Sequence, residues 1–379
     1  MRYFDKFLNV VDKGIQGEAI WIPVPYKRLR NTLGLTKKTY TIVGGDPGTG
    51  KSAFVDTSYI LGSYAWMINN SDSPVKPHII LRSMERSKEY RIAKWVCKRM
   101  FEQYGILLDV NTIFGRHTED NRITKEIREK IESCREYFDK MNEYVTIIDG
   151  SSNPTGVFKD FLDYALKNGT LYINDPDKGL KVAVYHPKDK KTTWKTIPDS
   201  RFPEDEVFPE RYEKVYIPDD KEELVIPIVD HIGEYSNEKG NSDKQNLDVA
   251  GSYTLRLRDV YGWSPIDVIQ FNRNLSDQRR RQGSSLRPEE QDFMGSSTMY
   301  QRLTHQDTFW NKVSGCYITI IALKDQKEEI INFLNDKFNF STCIHGSKSL
   351  YIPKKDKIKM FDKIKQYVPE CMKYKIKPL

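Results

Sequence analysis

The sequence contains no run of 18 apolar residues, which excludes an ordinary membrane-spanning helix. Residues 1–6 mix charged and aromatic side chains and lack the apolar core of a secretory signal. Cysteine is sparse. Cys97, Cys134, Cys316, Cys343 and Cys371 are scattered without metal-ligand spacing, so neither a zinc site nor a disulfide framework is expected. Reduced thiols in a cytoplasmic compartment are the expectation. Arginine is missing from residues 313–379, which carry thirteen lysines against seven acids, whereas all 21 arginines precede them. That shift in usage points to two sources for the two parts of the chain, and a lysine-rich segment is either a solvated surface or a nucleic-acid face.

With 38% hydrophobic and 30% charged residues over 379 positions, the composition is that of a folded chain able to bury a sizeable core. Residues 3–13 have helical periodicity and 18–25 read as extended. A β-branched strand at 39–43 leads into a glycine-rich turn and a helix over 52–67. Further strands are expected at 78–82, 144–148, 224–229 and 266–271. Helices are expected at 86–104, 121–140, 154–167 and 242–261. Strands alternating with helices predict an α/β fold with a mostly parallel twisted sheet flanked by helices on both faces. Residues 168–223 interrupt this rhythm and read as an inserted β-hairpin or long loop. The chain therefore divides into a lead-in (1–38), an α/β core (39–312, with the insert 168–223) and a small α+β C-terminal segment (313–379).

Gly45-Asp46-Pro47-Gly48-Thr49-Gly50-Lys51-Ser52 fits G-x-x-x-x-G-K-[ST] at every fixed position, after a strand and before a helix. Its glycines let backbone N–H groups turn inward around phosphate, and the helix start adds its positive dipole end. Lys51 is expected to reach the β- and γ-phosphates of ATP, and the Ser52 hydroxyl to ligate Mg²⁺. Hydrolysis needs a group that activates water. Glu85, just past the second strand, is the candidate; a plain helix-start charge is the alternative. Asp149 and Asp230 both follow apolar strands, and spacing alone does not choose between them as the acid beside Mg²⁺. Gln270, Asn272 and Arg273 follow the next strand, where a polar amide can sense the γ-phosphate. Arg279, Arg280 and Arg281 either grip single-stranded DNA or form a solvated charge run.

These segments together resemble the ATPase domain of DnaB-type replicative ring helicases, particularly phage and viral versions, over residues 10–311. The approach to the P-loop from Leu33 is similar. Ser83-Met-Glu85-Arg-Ser87 resembles the family's Ser-Leu-Glu-Met-Ser segment, whose glutamate is the catalytic base. Val225-Ile-Pro-Ile-Val-Asp230 resembles its Walker B strand, which favours Asp230 over Asp149. Asp267-Val-Ile-Gln-Phe-Asn272-Arg is similar to Ser-Gln-Leu-Asn-Arg, with Asn272 where the sensor glutamine usually sits. The resemblance implies a RecA-like fold, ATP and Mg²⁺ as ligands, single-stranded DNA as the polymer, and a homo-oligomeric ring, a hexamer.

The departures are specific. The family's helical N-terminal domain has no counterpart, the 168–223 insert is atypical, and no Lys-x-Arg pair follows Trp310. The arginine of that pair reaches a neighbour's ATP site. Weak hydrolysis is the expectation without it, because such fingers contribute on the order of 10³-fold or more. From about Ser314 the chain resembles the end of a LAGLIDADG homing endonuclease, through Ile331-Asn-Phe-Leu-Asn-Asp-Lys-Phe-Asn-Phe340 and Tyr367-Val-Pro-Glu-Cys-Met-Lys. The metal-binding helix end of that family is missing, so this segment is expected not to cut DNA. The resulting expectation is a truncated helicase fused to an endonuclease remnant. An ATP-binding DNA-binding protein without efficient hydrolysis and a RecA-type recombinase or loader remain alternatives.

Overall fold

The computed structural model describes residues 3–15, 20–26, 33–45, 50–116, 122–186, 191–270 and 317–320. The chain begins with helix α1 (Tyr3–Ile15), which leaves Phe4, Phe7, Leu8, Val11 and Ile15 exposed. The short strands β1 (Ile22–Pro23) and β2 (Gly34–Leu35) pair antiparallel. Strand β3 (Thr41–Gly45) then leads to α2 (Lys51–Val55), a π-helical turn (Asp56–Ile60) and α3 (Leu61–Asn69), in unbroken succession. Gly62 lets this rod lie close to the lead-in: a Cβ there would stand 2.7 Å from the Thr57 carbonyl oxygen and 3.2 Å from the Pro25 ring.

Strand β4 (Lys76–Ser83) is followed by α4 (Lys88–Tyr104), a short α5 (Val110–Ile113), α6 (Lys125–Glu132), α7 (Arg135–Met141), β5 (Val145–Asp149) and α8 (Pro154–Lys167). The single helix expected over 121–140 is two. Ser133 closes α6, and the buried Cys134 sits at the break between them. Strands β6 (Gly169–Asp175), β7 (Gly179–His186), β8 (Lys191–Thr196) and β9 (Lys214–Pro218) come next. The core resumes with β10 (Glu223–Asp230), α9 (Asp243–Asp259) and β11 (Ile266–Gln270), and the last described strand is β12 (Tyr317–Ile320).

Among the described residues, six strands form a parallel sheet in the order β12-β3-β11-β10-β4-β5. Alternate residues of each strand enter opposite cores. Val43, Ile79, Leu81, Leu224, Ile226, Ile228 and Val268 pack toward the P-loop helix, Trp95 and Met141. Ile42, Ile80, Val225, Val229 and Ile269 pack toward α8 and α9. Burial on both faces explains why these strands read as continuous apolar runs. The sheet and its flanking helices are the mostly parallel α/β architecture expected from the alternation of strands and helices. Tyr317–Ile320, within the segment expected to be separate, pairs with β3 as the edge strand of this same sheet.

The insert is not a single hairpin. It is a four-stranded antiparallel sheet in the order β8-β7-β6-β9. Leu171 and Tyr216 join the core beneath α8 and α9, and Tyr172, Leu180 and Phe202 make a small core of their own. The rest of the C-terminal segment lies outside the described residues. No helix among the described residues is long and apolar enough to cross a membrane.

Candidate nucleotide site

Parallel strands place all their C-terminal ends on one side of the sheet, where ligands of open α/β folds bind. Gly45, Gln270, Asp230 and Ser83 occupy those ends in β3, β11, β10 and β4. Gly50 has φ 94, a left-handed conformation natural to glycine, at the start of α2. Of the P-loop, Gly45, Gly50, Lys51 and Ser52 are described, while Asp46, Pro47, Gly48 and Thr49 lie outside the described residues. Lys51 is buried, and its Nζ donates to the Gly45 carbonyl oxygen at 2.9 Å, so the lysine spans the loop it follows. Ser52, beside it on the same helix, is half-buried.

The candidate acids stand on neighbouring strands. Strands β4 and β10 pair along their full length, from Lys76 with Glu223 to Ser83 with Asp230. The Met84 amide continues the ladder, donating to the Asp230 carbonyl oxygen at 2.8 Å. Glu85 follows immediately, 45% exposed and 3.2 Å from Arg86. His231 faces it: Nε2 lies 4.0 Å from Glu85 Oε2 and 3.5 Å from Glu234 Oε1. Burial lowers the His231 pKa below 6.5, which keeps the ring neutral near pH 7. Its Nδ1 accepts from the Gly233 amide at 3.2 Å, so the ring proton sits on Nε2, toward both carboxylates.

Asp149 is placed differently. It ends the edge strand β5, and its Oδ2 accepts from the Lys88 amide at 2.8 Å, which caps the start of α4. Four strand spacings separate β5 from the P-loop strand, roughly 19 Å. Two spacings separate β10 from it. Asp149 therefore has a structural task away from the P-loop, and Asp230 is the acid within its neighbourhood.

Asp230 is 2% exposed and belongs to a network that the sequence did not reveal. Arg91 of α4, also 2% exposed, donates from Nη2 to Asp230 Oδ2 and from Nη1 to Asp56 Oδ1 at 3.0 Å. Its Nε donates to Ser83 Oγ at 3.3 Å. Asp56 lies one turn beyond Ser52, and its amide donates to the Ser52 carbonyl oxygen. One guanidinium thus joins the P-loop helix, the β10 end and the β4 end. The available sequence signal was a charged residue four positions before the buried Trp95, on the same face of α4.

These residues fit a nucleotide-bound magnesium. Asp230 Oδ1 is buried without a hydrogen-bond partner, a hard oxygen of the kind Mg²⁺ or its water shell takes. Among the described residues no group of three or more His, Cys, Asp or Glu side chains converges as a metal site. Asn272, Arg279, Arg280 and Arg281 lie outside the described residues. A groove of about 420 Å³ lined by Tyr26, Leu61, Ala65, Trp95, Arg99 and Tyr137 among others includes none of Lys51, Glu85 or Asp230.

No protein-family model matches the chain, and no curated protein matches it. Among solved structures it is similar to a DnaB-like replicative helicase described with its interactions with primase. That similarity has a TM-score of 0.47 at 13% identity and covers 79% of this chain and 54% of the other, so the chain spans about half the length of that helicase.

Proposed function

We propose that the chain is a P-loop ATPase motor of the replicative-helicase type that acts on single-stranded DNA. The observation that supports it best is the meeting of Glu85 and Asp230 at adjacent strand ends, on the same side of the sheet as Lys51 and Ser52. In this reading the backbone amides of residues 45–50 and the start of α2 hold the phosphates of ATP. Lys51 exchanges the Gly45 carbonyl for the β- and γ-phosphates. Ser52 and Asp230 hold Mg²⁺, which when bound neutralises charge on the phosphate oxygens. Glu85 takes a proton from water as the water oxygen attacks the γ-phosphorus and ADP leaves. His231 Nε2 stands nearby, 3.5 Å from Glu234 Oε1 and 4.0 Å from Glu85 Oε2.

Asn272 would sense the γ-phosphate, and Arg279, Arg280 and Arg281 would grip the DNA backbone. A homo-hexameric ring around the strand completes the reading. The C-terminal segment, an endonuclease-like remnant in this reading, contributes no cleavage. Steady-state ATP turnover with and without a single-stranded oligonucleotide tests the proposal. Turnover that rises with DNA supports a motor. Turnover indifferent to DNA, together with Glu85→Gln matching the parent, removes that reading.

A further inference from the structure

We propose that Arg91 is a positioning residue for the magnesium of the nucleotide, acting through Asp230. The inference rests on the nucleotide-site reading above and concerns how that site is kept in register. Asp230 offers two oxygens. Oδ2 is taken by Arg91 Nη2, while Oδ1 is buried and unpartnered. Fixing one oxygen fixes the carboxylate plane, and with it the direction in which the other can act. The same guanidinium holds Asp56 through Nη1 at 3.0 Å and Ser83 through Nε at 3.3 Å. Asp56 is bonded through its backbone to Ser52, the other magnesium candidate. The two candidate ligands therefore sit on separate elements that a single side chain binds together.

Only arginine suits this place. Its planar fork presents donors in three directions at once, whereas a lysine ammonium is a point charge that cannot span three fixed acceptors. A structural ion pair alone would need one acid. Here two buried acids converge on one cation, and each leaves an oxygen unpartnered, Asp56 Oδ2 and Asp230 Oδ1. Outer partners of this kind orient metal ligands, and their loss typically weakens metal affinity about 10- to 100-fold.

The test is a binding titration. A fluorescent ATP analogue is held at fixed concentration with the full chain, MgCl₂ is varied, and the same analogue is also bound in EDTA. Arg91→Lys should raise the magnesium concentration at half-maximal binding by about tenfold or more. Its magnesium-free binding should stay within about twofold, since the P-loop itself is intact. Asp56→Asn keeps an acceptor for Arg91 but loses its charge, and should move the midpoint in the same direction by a smaller factor. It also serves if the lysine variant does not fold. A lowered unfolding temperature with an unchanged magnesium midpoint in either variant assigns Arg91 a merely structural role and overturns the inference. If the parent chain itself binds the analogue no better with magnesium than without, the nucleotide-site reading falls, and this inference with it.

Discussion

Lys51 Nζ and the Gly45 carbonyl oxygen lie 2.9 Å apart, a hydrogen bond that closes the P-loop across its own base. A buried ammonium needs an acceptor, and this carbonyl supplies one where phosphate oxygens would compete for the same donor. Lys51→Ala should therefore cost nucleotide affinity more than stability. Hydrogen bonds to charged groups are worth about 1.5–3 kcal/mol, so affinity for an ATP analogue should fall roughly 10- to 100-fold. Isothermal titration measures this directly. Affinity within twofold of the parent would place the phosphates elsewhere.

Asp149 and Asp230 end similar strands but predict opposite phenotypes. Asp149 caps α4 through the Lys88 amide, so Asp149→Ala should lower stability by about 1 kcal/mol and leave ATP turnover intact. Asp230 shares buried Arg91 with Asp56, and Asp230→Ala leaves the guanidinium to Asp56 and Ser83 with one donor unmet. A loss of about 1.5–3 kcal/mol is expected, together with loss of magnesium-dependent turnover. Denaturant melts and turnover measured on both variants separate the two roles. Loss of turnover in Asp149→Ala at full stability would reverse the assignment.

Asp267 gives the core a pH signature. Burial pushes its carboxyl up to about 6 from 3.8, while Tyr40 and Thr254 donate to its Oδ2 at 2.7 and 3.0 Å. The folded chain then holds this proton more tightly than the unfolded chain. The group's contribution is therefore fully present below about pH 4 and is lost as pH rises through about 6. An upward move of this size amounts to about 3 kcal/mol. Asp267→Asn keeps an oxygen for both donors and should flatten that decline. Urea melts at pH ~4.5 and pH ~7 measure it, and the same decline in the variant would assign it to another group.

Much of the core was legible because its signals are local. The P-loop, the apolar runs at β4, β10 and β11, and the helix Pro154–Lys167 with its Asn153 cap all stand in contiguous residues. The acids at strand ends were legible for the same reason, although the strand order that separates Asp149 from Asp230 was not. Arg91 stayed hidden because its partners, Asp56 and Asp230, are 35 and 139 residues away, and only tertiary packing brings them together. The insert was underestimated because β8, Lys-Thr-Thr-Trp-Lys-Thr, is polar on both faces and mostly exposed, so alternation gave no apolar face to find. His231 carried no motif of its own. Its relation to Glu85 follows from the β4–β10 pairing rather than from spacing.

The account turns on Glu85 as the group that activates water, and the most direct measurement is ATP turnover alongside ATP binding in Glu85→Gln. The side chain is 45% exposed and keeps nearly the same shape as an amide, so folding and nucleotide affinity should stay within about threefold of the parent. Turnover should fall by about 10²- to 10⁴-fold, the usual worth of a general base. Turnover equal to that of the parent, with binding preserved, would contradict the account.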